Sequence, residues 1–149
     1  MANGSVGFLA PVASNQGVQT WSTNERLLLS SRDGVILATR GFGSDIMAAT
    51  VPSLAQIARG SGSHTRLHVY LDGADQPRKF TMTCTVSTVG PETITVLGLR
   101  YATRHIRETC DGKAGSGAND YWFQGGTLRQ SQQFLVPGQS GLILQSIVD

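Results

Sequence analysis

The sequence predicts an all-β fold, an antiparallel β-sandwich or flattened β-barrel carrying one or two short helices, and three observations predict it. Glycine takes 18 of the 149 positions and 15% of residues are charged, the balance of a turn-rich folded chain. Short apolar and β-branched runs recur along the whole length, each bounded by turn-forming residues. Residues 79–88, KFTMTCTVST, alternate Phe80, Met82, Cys84 and Val86 with Lys79, Thr81, Thr83, Thr85 and Ser87, a period of two that turns one strand face to a core. A chain of 149 residues buries about 68–70% of its extended surface on folding, enough for one real core. Residues 1–149 are therefore expected to form a single β domain, with 1–16 extended or loosely packed.

Strands are expected over 18–21, 26–30, 35–40, 66–71, 78–88, 93–103, 121–124, 127–135 and 142–148. Asp33-Gly34 falls between two of them as a two-residue hairpin turn. Ser53 before Leu54, Ile57 and Ala58, with Gly60 after Arg59, gives an N-cap, an apolar stripe and a C-terminal glycine, enough for about two helical turns. One further turn is expected over 44–49, and the stretches at 60–63 and 111–118 read as flexible connections. VGPE at 89–92 reads as a turn centred between Gly90 and Pro91, setting Cys84 opposite Leu97, Met82 opposite Leu99 and Phe80 opposite Tyr101. A bridge between Cys84 and Cys110 then requires the chain to double back near 103–107, since the strand from Leu97 would otherwise run about 43 Å. A disulfide and two buried free thiols both stand as readings of this pair.

The charge pattern excludes some functions. Net charge is +2 and the twelve Lys and Arg residues are scattered, so no nucleic-acid stripe exists. No run reaches the roughly eighteen apolar residues of a membrane helix, and the start, MANGSVGFLAPVAS, has neither the basic nor the long apolar region of a signal peptide. His64 and His68 would lie about 13 Å apart on a strand, too far to share an ion, and are expected on a solvent-facing strand edge. His105 stands alone. No metal site and no cofactor is expected: RGFGSDI lacks the third glycine of a dinucleotide motif, and DGKAGSGA lacks the order of a phosphate loop. No G-x-S-x-G occurs. Asp33, Asp72, Asp75, Glu92, Asp111 and Asp120 are assigned to turns, which leaves Asp45 and Glu108 as the candidate carboxylates for acid–base chemistry and no catalytic residue expected.

The densest chemistry lies at 119–135, NDYWFQGGTLRQSQQFL. A hairpin turn at Gly125-Gly126 would pair Phe123 with Leu128, Trp122 with Arg129 and Tyr121 with Gln130. Phe123, Leu128 and Phe134 then belong to the packed side, while Arg129 stacks on the Trp122 indole on the other. An indole and a phenol beside the amides of Asn119 and Gln130 suit a sugar polymer; filling a β core is the competing use of the same rings.

Residues 119–147, NDYWFQGGTLRQSQQFLVPGQSGLILQSI, resemble the closing signature of the YjbF-type group 4 capsule polysaccharide lipoproteins: an Asn-x-Tyr-Trp element, a short turn, a strand ending in an aromatic, a proline-glycine pair and an aliphatic last strand. Residues 20–48 are similar to that family's opening block, with Trp21, the Arg32-Asp33-Gly34 turn, Thr39, Gly41-Phe42-Gly43, and Asp45 before Ile46 and Met47. The resemblance implies a non-catalytic accessory protein of capsule or exopolysaccharide export or assembly, in the periplasm and associated with the outer membrane. It implies polysaccharide or outer-membrane proteins of the same pathway as partners, and membrane contact only through an N-terminal lipid anchor that this chain does not carry. An oxidising compartment favours the Cys84–Cys110 bridge. The expected contact surface comprises Trp122, Arg129, Tyr121, Asn119 and Gln130, with Trp21, Arg40 and Asp45 at its far edge or in a structural corner. The alternatives are a carbohydrate-active enzyme and a scaffold that binds protein through a strand edge.

Overall fold

The computed structural model describes residues 10–15, 18–22, 27–41, 45–71, 74, 76–135 and 141–145. Expectations on the first nine residues, on Phe42, Gly43 and Ser44, and on the strand end at 146–148 lie outside the described residues. The all-β prediction holds. Strands β1 (Ala10–Asn15), β2 (Val18–Ser22), β3 (Leu28–Arg32) and β4 (Val35–Arg40) form a four-stranded sheet in chain order. After β5 (Ile46–Thr50) and the helix α1 (Leu54–Ala58) come β6 (Ser61–Leu71), β7 (Pro77–Val96), β8 (Leu99–Gly112), β9 (Gly115–Gln124), β10 (Thr127–Gln133) and β11 (Leu142–Gln145). These seven strands build the second sheet, again with sequence neighbours side by side and antiparallel, and it curls into a half-barrel.

The core fills the curl. Val35 of β4 meets Ile57 of the helix and Val86, Ile106, Tyr121 and Phe123 of the long strands. Leu29 and Ile36 of the small sheet meet Ile46 and Leu135. The helix starts where a capping box forms: Gln56 N donates to Ser53 Oγ at 3.1 Å and Ser53 N donates to Gln56 Oε1 at 2.9 Å. It stops at Gly60, whose φ of +74° is left-handed and whose missing Cβ would stand 2.2 Å from Thr88 Oγ1. Residues 46–49, expected as part of a second helical turn over 44–49, instead belong to β5, paired with β6 from Ile46↔Tyr70 to Thr50↔Leu67. Pairing with a neighbouring strand outweighs a weak local preference.

Strand β7 buries Phe80, Met82, Cys84 and Val86 on one face as the alternation predicts. It does not turn at Gly90-Pro91. Gly90 adopts a φ of 140° and the register shifts between Thr88 and Gly90, so the glycine opens a β-bulge, a place where a strand tolerates proline, and the strand continues. The reversal comes at Leu97-Gly98, with φ of 48° and 81°. Cys84 therefore opposes Cys110, not Leu97; Met82 opposes Gly112, not Leu99; and the chain does not double back at 103–107. Cys84 and Cys110 are joined as a disulfide. The bulge also exchanges faces: beyond it Ile94 and Val96 turn to the outer side of the sheet and pack with Trp122. The two stretches read as flexible are strands. Ser61 already pairs with Ser87, and Gly112 with Gly115 closes a tight hairpin.

Candidate functional site

Alternation along β6 fixes that Arg66 and His68 share a face, but not which face. The structure turns that polar face inward: Arg66 and His68 are 2% and 1% exposed. This corrects the solvent-edge expectation for His68, and the reason is the partner that β8 brings to the same interior. Ile106, Glu108 and Cys110 point into the curl, and Glu108 is fully buried. Arg66 clamps it with Nε to Oε2 at 2.7 Å and Nη2 to Oε1 at 2.9 Å. His64 Nε2 meets Oε2 at 2.5 Å, Asn119 Nδ2 donates to Oε1 at 2.8 Å, and the Tyr121 hydroxyl reaches Oε1 at 3.4 Å. The network extends outward through the backbone. Asn119 Oδ1 accepts from Phe134 N at 2.8 Å, and His68 Nδ1 donates to Leu135 O at 3.0 Å.

Burial by itself would raise the Glu108 pKa, but the His64 hydrogen bond, the Arg66 charge and the Asn119 amide overcome it and hold the carboxyl at about 2. Burial lowers His68 to about 4, so its ring is neutral at pH 7, with the Nδ1 proton on Leu135 O and Nε2 turned to Arg66 Nη1 at 3.4 Å. Burial likewise pushes the Tyr121 hydroxyl above its ordinary range. The result is a carboxylate locked in its ionised form with both oxygens occupied. That arrangement positions strands β6, β8 and β9 against one another. His64, Cys84 and Glu108 bring potential ligand atoms within 4.8 Å of one another, but Cys84 is bonded to Cys110 and supplies no thiolate.

The outer face of the same sheet holds a second constellation. The register shifts between Leu128 and Gln130, so Phe123 opposes Leu128 as expected, while Trp122 opposes Gln130 rather than Arg129 and Tyr121 opposes Ser131 rather than Gln130. Arg129 lies over the Tyr101 ring at 4.5 Å instead of over the indole. Trp122 stacks on His105 at 4.5 Å, is 8% exposed, and its Nε1 is buried without a hydrogen-bond partner. His105 is not alone. Its Nε2 meets Asp120 Oδ1 at 2.7 Å, and its Nδ1 lies 3.0 Å from Glu92 Oε1, close enough to pair in charge but not aligned as a hydrogen bond. Glu92 and Asp120 thus sit within strands β7 and β9, where sequence reasoning had turns.

The eight expected contact residues fall into three places. Trp122, Arg129 and Gln130 share the outer face, the first two largely covered; Tyr121 and Asn119 are fully buried on the inner face with Glu108. Trp21, Arg40 and Asp45 belong to the small sheet and its exit, where Asp45 accepts from Thr39 Oγ1 at 3.1 Å and Gly41 N at 3.0 Å. Arg40 is exposed and lines a shallow depression with Thr20, Leu28, Ser30, Ala38 and Thr39. Arg66 was missed, and His64, expected with His68 on a solvent-facing edge, is instead mostly covered and bonded to Glu108, because a charged or polar residue on an alternating strand normally faces water.

A family model described as group 4 capsule polysaccharide lipoprotein gfcB, YjbF, matches residues 2–147. The chain belongs to the YjbF family. Among solved structures, the hypothetical lipoprotein YmcC from Escherichia coli K12 is similar at a TM-score of 0.78 and 20% identity, over 95% of this chain and 75% of that one. At that identity the likeness is one of fold. The comparison with curated proteins returns no match. As a YjbF protein the chain stands in a capsule-related setting in the cell envelope, with the β-rich fold of such lipoproteins.

Proposed function

We propose that this YjbF protein is a non-catalytic accessory of capsule or exopolysaccharide export or assembly, in the periplasm at the outer membrane, that contacts the glycan through the outer face of β9, β10 and β11. The observation that carries the reading is a row of neutral amides on that face. Gln130 opposes both Trp122 and Gln145, and Gln132 opposes Asp120 and Ile143, so these side chains share one side of the sheet. Gln145 Nε2 donates to Gln130 Oε1 at 2.7 Å, and Arg129 Nε donates to Gln124 Oε1 at 3.0 Å, which holds the amides in fixed orientations. Uncharged donors and acceptors beside covered aromatic rings suit a hydroxyl-rich polymer. The absence of catalysis is supported by the inner face, where Glu108 is the one fully buried carboxylate among the described residues and is fully engaged. Glu92 and Asp120 flank the His105 ring, at 3.0 and 2.7 Å from its two nitrogens.

The test is affinity electrophoresis in gels cast with neutral or acidic capsule polysaccharide. Three amide contacts at about 1 kcal/mol each make the triple variant Gln130→Ala, Gln132→Ala, Gln145→Ala lose retention by at least about tenfold, at an unchanged thermal midpoint. Equal retention of this variant, or no retention of the native chain on any polymer, removes the glycan reading and leaves the protein scaffold. Turnover of a capsule polymer that disappears in Asp45→Asn would restore the enzyme.

A further inference from the structure

The chain makes the same two-residue turn twice, with different residues at its first position. Between β3 and β4 the pair is Asp33-Gly34, with φ of 54° and 94°; between β7 and β8 it is Leu97-Gly98, with φ of 48° and 81°. Asp is among the residues that enter the left-handed region readily, and a bulky aliphatic is not. Leucine at position 97 therefore works against its own turn, and it finds no burial in return: Leu97 is 65% exposed and Leu99 beside it 62%. A backbone held in an unfavourable conformation without a packing reason points to a use for the side chain.

The surroundings say what kind of use. The register of β6 with β7 ends at Ser61↔Ser87, and that of β8 with β9 ends at Arg104↔Phe123. From Glu92↔Thr103 to Val96↔Leu99 the two strands pair only with each other, as a ribbon whose tip carries the two leucines. Behind that tip stand exposed Arg100 and half-buried Tyr101, the latter under the Arg129 guanidinium. Apolar side chains outermost, then a cation and a phenol, repeat the order in which a protein meets a lipid leaflet from its acyl boundary to its headgroups.

We propose that Leu97 and Leu99 form a membrane-contacting tip, inserting at the headgroup–acyl boundary of an anionic bilayer with Arg100 at the headgroup level. The inference is independent of the glycan face. Flotation of the 149-residue chain with vesicles of phosphatidylethanolamine and phosphatidylglycerol, and with phosphatidylcholine alone, tests it. The native chain is expected to float with the anionic vesicles. Leu97→Asn supplies a residue suited to the turn, so it keeps or raises the thermal midpoint while cutting partitioning about tenfold, about 1.4 kcal/mol. Leu97→Asn combined with Leu99→Thr abolishes flotation, and Arg100→Ala removes the salt-sensitive preference for anionic lipid. Ile143→Thr, at a residue 62% exposed on the edge strand, leaves flotation unchanged. The proposal is overturned if the native chain stays with the unbound fraction, if Leu97→Asn floats as the native chain does, or if Ile143→Thr loses as much. Loss by Leu97→Asn of binding to an envelope protein, with vesicle flotation intact, assigns the tip to a protein pocket and overturns it equally.

Discussion

Glu108 shows what a buried charge demands of its neighbours. Removing one partner of such a pair strands the other, so Glu108→Ala leaves Arg66 uncompensated and is expected to destabilise by about 3–5 kcal/mol, read as a lowered urea midpoint. The double replacement Arg66→Met with Glu108→Leu removes both charges and is expected to recover most of that loss in the same titration. Trp122→Ala opens a hole beside His105 and Val96 and should lower stability by about 3 kcal/mol, which a surface indole would not do. The sequence marks Tyr121, Asn119 and Trp122 as unusual through their crowding at 119–123, and its period of two separates Trp122 from its neighbours correctly. It cannot say which face is inside. Polar residues usually face water, and only the approach of Glu108 from β8 reverses that for Arg66 and His68.

Elements were legible where a signal is local. The capping box of α1, the Asp33-Gly34 and Gly125-Gly126 turns and the alternation of β7 each depend on residues within a few positions of one another. Bulges were not. A bulge is one extra residue, and nothing near Thr88 or Arg129 in sequence distinguishes it from a turn or from regular pairing, yet each displaces every partner beyond it. The Gly90 bulge brings Cys110 to Cys84 across β7 and β8, at a sequence separation of 26. Closing that loop constrains the unfolded chain, and the double variant Cys84→Ser, Cys110→Ser is expected to lose about 3.5 kcal/mol in chemical denaturation. At the helix end, Gly60→Ala meets both a left-handed φ and the Thr88 hydroxyl, so its thermal midpoint should fall further than that of a glycine replaced in an open turn, such as Gly126→Ala.

For the molecule as a whole, the interior network sets the response to acid. His68 is neutral when folded at a pKa of about 4 against an ordinary 6.5, so between these values the unfolded chain binds a proton that the folded one refuses, and stability falls as pH drops from 6.5 to 4. Glu108 is held at about 2 against an ordinary 4.5, so its contribution is whole above 4.5 and is lost as pH falls toward 2. Both act in one direction, each worth on the order of 3 kcal/mol. Urea midpoints measured from pH 7 to pH 3 should therefore decline throughout, and His68→Gln should flatten the part above pH 4 while leaving the part below.

By itself the sequence determined the class of fold, the helix and its cap, two of the hairpin turns, and the resemblance that places the chain in its family, because each is encoded in neighbouring residues or in a pattern along one strand. Only the tertiary structure decided which side of each strand faces inward, where β7 turns back, that Glu108 is shared by Arg66, His64, Asn119 and Tyr121, and that Trp122 lies beneath the end of a ribbon. Those outcomes depend on groups far apart in the chain, and on two single-residue register shifts whose effect is felt only after the strands have paired.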